Sequence, residues 1–388
     1  MMSWIPTILL GCLLLGSWVF CVLTVVAAVR YRRVRPPSLL TCEPISILKP
    51  LHGLDEGLED NLRSFFVQDY PDYEILFAAR DASDPALALV ERLRVDYPDI
   101  PVRVFVTGEP PYPNAKVFSL QKMMAEASHD LLVMSDSDIR VTPSMLRTLA
   151  AEFQDQNVGV ATCPYRAVPG GSLWSVLEAI GMNTEFWGGA ITARMVEGGV
   201  KFAVGPTIAA RRAVVQAVGG WERLSQYLAE DFVLGQFAAA AGYGVILSSY
   251  VIEHRIGTQD LRPNFAHRLR WNRSTRRSRP AGYVGQIFTN PLPIALALLL
   301  LHPEAWPAAL ATCILRASAA FVVSEGVLHD PLCRMWWPLI LWQDLLSFVF
   351  WVAGFFGNTI VWRNRQYRLL SDGRFELIGY PSTGPVRR

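Results

Sequence analysis

Hydrophobic positions fall along this chain in three regimes. From Trp4 through Val29, 26 consecutive residues carry no charged side chain. As a helix such a run reaches about 39 Å, more than the ~30 Å hydrocarbon core of a bilayer requires. Arg30, Arg32, Arg33 and Arg35 follow at once. By the positive-inside tendency this end faces the cytoplasm and the N-terminus lies outside. A cleaved signal peptide carries its charges before a shorter apolar core; here they come after, which predicts an uncleaved anchor over 1–35.

The second regime, 41–282, mixes charges with spaced prolines and short apolar runs. Strands are predicted at 45–48, 73–78, 102–106, 131–134 and 158–162, with helical patterns between them, for instance at 86–95 and 144–153. This βαβ spacing predicts an α/β domain built on a mainly parallel sheet covered on both faces. The third regime holds three apolar stretches, 284–301, 305–328 and 336–362, each blemished: Pro291 and Pro293, then Arg316 and Glu325, then Asp344. A basic stretch, 363–368, opens the segment 363–388, expected to be a cytoplasmic tail. If that tail and the central domain share one side of the membrane, an even number of crossings separates them. One stretch within 283–362, the first or the third, is therefore expected to be re-entrant or interfacial.

Composition agrees with a chain partly in lipid: 51% hydrophobic and 18% charged residues, against about a quarter charged in an average globular protein. Lys+Arg 36 against Asp+Glu 34 gives a net charge of +2 and no field suited to nucleic acid. Six cysteines form no CxxC pair and have no zinc-like histidine spacing, so neither a disulfide framework nor a structural zinc site is expected.

Candidate chemistry gathers where strands should end. Leu131 to Met134 runs into Asp136-Ser137-Asp138, and ligands of open parallel sheets collect at carboxyl ends of strands. Two hard oxygens there suit Mg²⁺ or Mn²⁺ against a diphosphate, although Asp-x-Asp also suits a loop or a helix N-cap. Asp81 ends the run before it in the same way, but Asp81-Ala82-Ser83-Asp84-Pro85 is equally good turn chemistry. Asp231, in Ala229-Glu230-Asp231-Phe232, opens an apparent helix, where an acid also simply favours the dipole. His254 follows an apolar run and is either structural or a nitrogen ligand to a metal. Between His267 and Arg279 lie Arg268, Arg270, Arg273, Arg276, Arg277 and Arg279. They suit either anionic lipid or a departing diphosphate. Trp271 suits a sugar or acceptor platform, or a membrane-interface anchor.

Taken in order, Asp81, Asp136-Ser137-Asp138, Glu230-Asp231 and His267-x-x-Arg270-Trp271 resemble the signature of membrane glycosyltransferases with a GT-A nucleotide-sugar (Rossmann-like) fold: three aspartate positions and a (Gln/Arg)-x-x-Arg-Trp motif. The likeness is greatest to the ceramide glucosyltransferase family, glycosyltransferase family 21-like. It runs through Ile45 to Gly53 (including Lys49-Pro50), Asn114-Ala115-Lys116, Gln226 to Asp231 and Trp362-Arg363-x-Arg365-x-Tyr367-Arg368-Leu369. One position departs: His267 stands where the family carries Gln or Arg. The stretch from His267 to Tyr283 is similar to a bacterial hopanoid-biosynthesis branch of the family, which moves N-acetylglucosamine onto a hopanoid polyol.

The resemblance implies an integral protein of a bacterial-type inner or plasma membrane, with its catalytic domain in the cytoplasm. It implies inverting transfer of one sugar from UDP-glucose or UDP-N-acetylglucosamine to ceramide or a hopanoid polyol. Asp81, Pro50, Lys116 and Asp136 would serve the nucleotide. Asp138, with Asp136 and His254, would hold Mg²⁺ or Mn²⁺. Asp231 would be the general base, Arg270 would stabilise the leaving UDP, and His267 and Trp271 would border the acceptor. A processive polysaccharide synthase shares the carboxylates but needs a polymer channel that three imperfect stretches are too few to enclose. A silent lipid-binding scaffold would not be expected to keep all four aspartates.

Overall fold

A computed structural model describes residues 4–362 and 365–379. Arg363, within the basic stretch, and the tail beyond 379 lie outside the described residues. The strands are β1 (Ile45–Pro50), β2 (Tyr73–Ala79), β3 (Val102–Val106), β4 (Leu131–Ser135), β5 (Ile139–Arg140), β6 (Val158–Thr162) and β7 (Tyr165–Pro169). They continue with β8 (Thr207–Arg211), β9 (Gly244–Leu247), β10 (Ile252–Gly257), β11 (Thr359–Trp362), β12 (Arg365–Leu369) and β13 (Phe375–Gly379).

Seven strands form the main sheet in the order β3-β2-β1-β4-β8-β6-β9. Continuous apolar runs make β1, β2, β4 and β6 almost wholly buried, as strands covered on both faces must be. Leu48 of β1 pairs with Leu76 of β2 on one side and Met134 of β4 on the other, all parallel. The chain leaves β1 outward to β2 and β3, then returns to β4 on the opposite side of β1. That reversal opens a crevice at the carboxyl ends of β1 and β4. The sheet is mixed rather than purely parallel, because β8 runs antiparallel to both β4 and β6.

A small second sheet, β5-β10-β7, stands at the mouth of the crevice and pairs His254 with Ile139, the residue after Asp138. The third sheet, β11-β12-β13, packs Ile360, Tyr367, Leu369 and Phe375 around Leu228. The apolar stretch 336–362 is therefore not one helix. It is helical over Trp337–Gly354, and its last four residues pair with β12.

Three helices among the described residues are long and apolar enough to cross a membrane: Trp4–Tyr31, Pro303–Ser324 and Trp337–Gly354. Of the two stretches suspected of failing to span, the first is the broken one. Pro280–Thr289 and Pro291–Leu301 meet at a 57° bend, where Pro291 and Pro293 interrupt the ladder. A further helix, Leu173–Gly181 continued by Trp187–Val196 through a π turn at Met182–Phe186, lies against all three spans. Thr24 and Thr192 hydroxyls meet at 3.0 Å, and Thr184 accepts from Arg316 at 3.0 Å. Arg316 also donates to Asp344 at 2.6 Å, so these two charges pair inside the helix bundle, whereas Glu325 lies just past its helix and accepts from Arg334 at 3.0 Å.

Removing one member of such a buried pair strands the other charge at a cost of about 3–5 kcal/mol, whereas replacing both is often neutral. Asp344→Leu is expected to lower the melting temperature of the detergent-solubilised protein sharply. The double change Arg316→Met with Asp344→Leu should restore most of it, and thermal unfolding of both variants checks this.

Candidate active site

The site is assembled by a helix cap. Asn114 begins helix Ala115–Glu126 by accepting from the Val117 backbone N–H at 3.2 Å. Its amide donates across to Glu230 Oε2 at 3.0 Å and to the Tyr227 carbonyl at 3.1 Å. The same cap therefore sets the helix bearing Lys116 against the start of helix Glu230–Ala240, which bears Asp231. Lys116 Nζ then reaches Asp136 Oδ1 at 2.7 Å and Glu230 Oε1 at 3.5 Å. Burial works against its charge, but Asp136 and Glu230 overcome this and hold its pKa above the ordinary lysine value.

Asp136 and Asp138 leave the end of β4 in different directions. Asp136 turns to Lys116, and Asp138 Oδ2 lies 3.2 Å from His254 Nε2. Burial alone would raise Asp138; the facing imidazole reverses this and holds the carboxyl below its usual value. The partner effect is symmetrical, for burial lowers His254 while Asp138 lifts it above the usual imidazole value. Asp138 Oδ1 is buried and meets no hydrogen-bond partner among the described residues. No three His, Cys, Asp or Glu side chains among them converge as a ready-made metal site. Asp138 with its free oxygen, backed by His254, still fits a hard divalent cation that takes its remaining ligands from a diphosphate and water. Asp136 holds Lys116 through Oδ1, and a carboxylate carries a second oxygen able to serve such an ion.

Burial, reinforced by Glu230, pushes the Asp231 carboxyl up to about 6, against the pull of Lys116 and the Gly205 backbone N–H. Gly205 is required by this closeness: a Cβ there would stand 2.7 Å from Asp231 Oδ2.

Pro50 and Lys116 line one cleft with His52, Arg80, Thr107 and Gly108, at the carboxyl ends of β1 and β2. Asp81, next in sequence to Arg80 of this lining, is exposed and accepts from the Ser83 backbone N–H and hydroxyl, both at 2.8 Å. The turn chemistry of its sequence is thus realised, and these donors hold its pKa low.

His267, Arg270 and Trp271 lie on helix Leu261–Ser278. His267 Nδ1 is 2.7 Å from Glu178 Oε1, and its ring is 5.1 Å from that of Trp271. Arg270 is half-buried one turn beyond His267. The arginine run serves a purpose not foreseen. Arg273 donates to the carbonyls of Phe356 at 3.0 Å and Thr359, Arg276 to those of Phe355 and Gly357, capping the end of the last membrane helix.

Sequence reasoning assigned no role to three residues at this site. Lys49 is wholly buried beneath Asp136, donating to its carbonyl at 2.6 Å, and burial draws its pKa down to about 7. Its signal was a lysine inside an apolar strand. Glu178 was visible as the one charge in an apolar helix. Tyr165 had no signal.

A GT-A-like α/β domain, with its acids at the carboxyl ends of the first sheet strands and joined to membrane helices, defines the class. Residues 10–375 match the family model described as Glycosyl transferase family 21, and the chain belongs to that family. It is similar to ceramide glucosyltransferase 1 of Caenorhabditis elegans, 26% identical over 222 residues, covering 57% of this chain and 47% of that one. It is also similar to the ceramide glucosyltransferase of Komagataella phaffii, 32% identical over 115 residues, covering 29% of this chain and 22% of that one. The match thus spans less than half the length of each relative. Among solved structures, a mannosyltransferase of Pyrobaculum calidifontis in complex with GDP-Man and Mn²⁺ shares the fold. Its TM-score is 0.54 at 17% identity, covering 90% of this chain and 97% of that one.

Because the Gly205 contact leaves no room for a methyl group, Gly205→Ala must displace the Asp231 carboxylate. Misplacing a reacting group by about 1 Å costs on the order of 10²-fold in rate. Turnover of the variant should fall by about that factor while its melting temperature moves little, as paired rate and thermal measurements will report.

Proposed function

We propose that the protein transfers a single sugar from a UDP-sugar to a lipid alcohol with inversion, most simply glucose from UDP-glucose to ceramide. The observation that carries this reading is Lys116 bound to both Asp136 and Glu230, which gathers the end of β4 and the acids of helix Glu230–Ala240 into one cleft. Membership of family 21 and the likeness to ceramide glucosyltransferases support it.

The nucleotide enters the cleft lined by Pro50 and Lys116, with Asp81 next in sequence to Arg80 of its lining. Asp138, with His254 behind it and Asp136 alongside, would hold Mg²⁺ or Mn²⁺. Bound there, the cation would neutralise the diphosphate and ease its departure. Asp231 takes the proton of the acceptor hydroxyl as its oxygen attacks the anomeric carbon. Its raised pKa leaves it ionised yet basic enough to do so near neutral pH. Arg270 faces the charge that develops on the leaving UDP, and Trp271 borders the acceptor. The helices keep the lipid at the bilayer surface, with the domain on the cytoplasmic side of a bacterial-type inner membrane where UDP-sugars are made. His267, bound to Glu178, is the observation behind a second reading: N-acetylglucosamine from UDP-N-acetylglucosamine to a hopanoid polyol.

The test is a product assay on membranes containing the protein. Both UDP-sugars are offered with ceramide and with a hopanoid polyol, and the lipids are read by mass spectrometry. One added hexose on ceramide supports the first reading and one N-acetylhexosamine on the hopanoid supports the second; no gain with any metal added overturns both. Asp231→Asn should lower the rate by roughly 10²–10⁴. In the unaltered protein, kcat/KM should be flat above about pH 6 and fall toward tenfold per pH unit below it, as Asp231 takes up its proton. A profile with no acid limb would remove Asp231 from the role of base.

A further inference from the structure

The sheet β11-β12-β13 follows the last apolar helix in the chain, yet it returns to the site. Phe375 of β13 donates its backbone N–H to the Gln226 carbonyl at 3.2 Å, Arg374 pairs with Tyr227 as an antiparallel bridge, and the apolar side of the sheet closes over Leu228. These contacts fall just before Glu230 and Asp231. The same sheet brings Arg365, the first residue of β12, to Glu109 in the loop between β3 and helix Ala115–Glu126. There Arg365 Nη2 donates to Glu109 Oε2 at 2.9 Å.

Glu109 faces a second cation. Its Oε1 lies 3.5 Å from Arg80 Nη1, and Arg80 lines the cleft assigned above to the nucleotide, together with Thr107, Gly108 and Pro110 on either side of Glu109. The two contacts are unequal. That to Arg365 has the length of a charge-assisted hydrogen bond, and that to Arg80 does not. Arg365, more than Arg80, holds the Glu109 carboxyl below its usual value, so it is ionised at working pH. In the same cleft Lys116 is committed to Asp136 and Glu230, and His52 is a cation only when protonated. The permanent charge left for a ligand therefore rests on Arg80, whose side chain is 30% exposed.

A guanidinium offers only donors, and the oxygens of a nucleoside diphosphate are acceptors. A carboxylate that closed fully on Arg80 would neutralise it and occupy those donors. Resting on the glycosyl-transfer reading for the identity of the cleft, we infer that Arg365 is a positioning residue: it draws Glu109 off Arg80 and so keeps the Arg80 guanidinium open to the nucleoside diphosphate of the donor. The sheet beyond the apolar helices then serves donor binding.

UDP binding to the full-length protein in detergent micelles with Mn²⁺, followed by isothermal titration, tests this. Arg365→Gln releases Glu109 to Arg80 and should raise the Kd for UDP about three- to fivefold, the scale of one partly exposed ion pair. Adding Glu109→Gln to that variant removes the competing carboxylate and should bring the Kd back to within about twofold of the unaltered protein. In an Arg80→Gln background, Arg365→Gln should make no further difference, because both changes act through one group. In turnover with UDP-glucose and a short-chain ceramide, the KM for the sugar nucleotide should follow the Kd while kcat stays within about twofold. An unchanged Kd in Arg365→Gln overturns the inference. So does a double variant with Glu109→Gln that binds no better than Arg365→Gln alone, which would make the pair a brace for the loop. If the unaltered protein binds UDP but glycosylates neither ceramide nor a hopanoid polyol, the transfer reading fails while the Kd ratios still decide the role of Arg365. If it binds no UDP, both fall.

Discussion

The Lys116 ammonium is the interaction on which the site depends. Asp136, Asp138, Glu230 and Asp231 come from two distant parts of the sequence, and four carboxylates brought together out of water repel one another. Lys116 sits between two of them, at 2.7 Å from Asp136 and 3.5 Å from Glu230, and makes their approach favourable. Its position follows from Asn114, which starts the helix of Lys116 and holds Glu230 with the same side chain. His254 stands beside the cluster, and Lys49 lies beneath it, only partly charged near neutral pH because burial draws its pKa down to about 7. Even with His254 charged, negative charge remains in excess, which leaves the cluster suited to a divalent cation.

A second chain of contacts joins this cluster to the membrane. The helix from Leu173 to Val196 turns Glu178 and Phe186 toward His267 and Trp271, and sets Thr184 and Thr192 against the spanning helices. The π turn between its halves lets one helix serve both surfaces, since it shifts the residues beyond it around the axis; such turns often mark functional sites. Arg273 and Arg276 make the return connection by capping the end of the last spanning helix from the helix that carries Arg270. The positions of Arg270 and Trp271 are thus fixed from the apolar helices, and those of Asp136 and Asp138 from the sheet.

What could be read from the sequence follows this division. Strands β1 to β4 and β6 lie within two residues of their predicted places because continuous burial in a parallel sheet demands continuous apolar runs. The antiparallel strand β8 escaped notice: Thr-Ile-Ala-Ala-Arg is short and rich in small residues, and gives no period. The acids were legible as strand ends and helix starts, but their partners were not. Lys116 was expected to offer its charge to the nucleotide, and nothing in the sequence marked the two carboxylates that the fold places beside it. The pairing of Arg316 with Asp344 joins helices 28 positions apart and was visible only as two separate blemishes. The third apolar stretch looked too long because the strand Thr359–Trp362 is as hydrophobic as the helix before it. Pairing with β12, which periodicity does not report, marks the boundary.

The departure at His267 has a physical reading that keeps the site intact. Glu178 is buried and needs donors; Asn264 supplies one at 2.6 Å, and the ring nitrogen of His267 stands at 2.7 Å. Gln and Arg, the residues of the family motif, also carry N–H groups able to serve that carboxylate. In this chain position 267 binds Glu178 while Arg270 and Trp271 stand on the next turn of the helix. Histidine does this with a shorter, flatter side chain and adds a ring packed against Trp271. It therefore alters the shape of the surface beside Trp271 while keeping a hydrogen bond to Glu178. On the proposed reading, any change of substrate that follows from His267 falls on the acceptor before the donor, because among the described residues His267 meets Glu178 and Trp271 and does not line the cleft of Pro50 and Lys116.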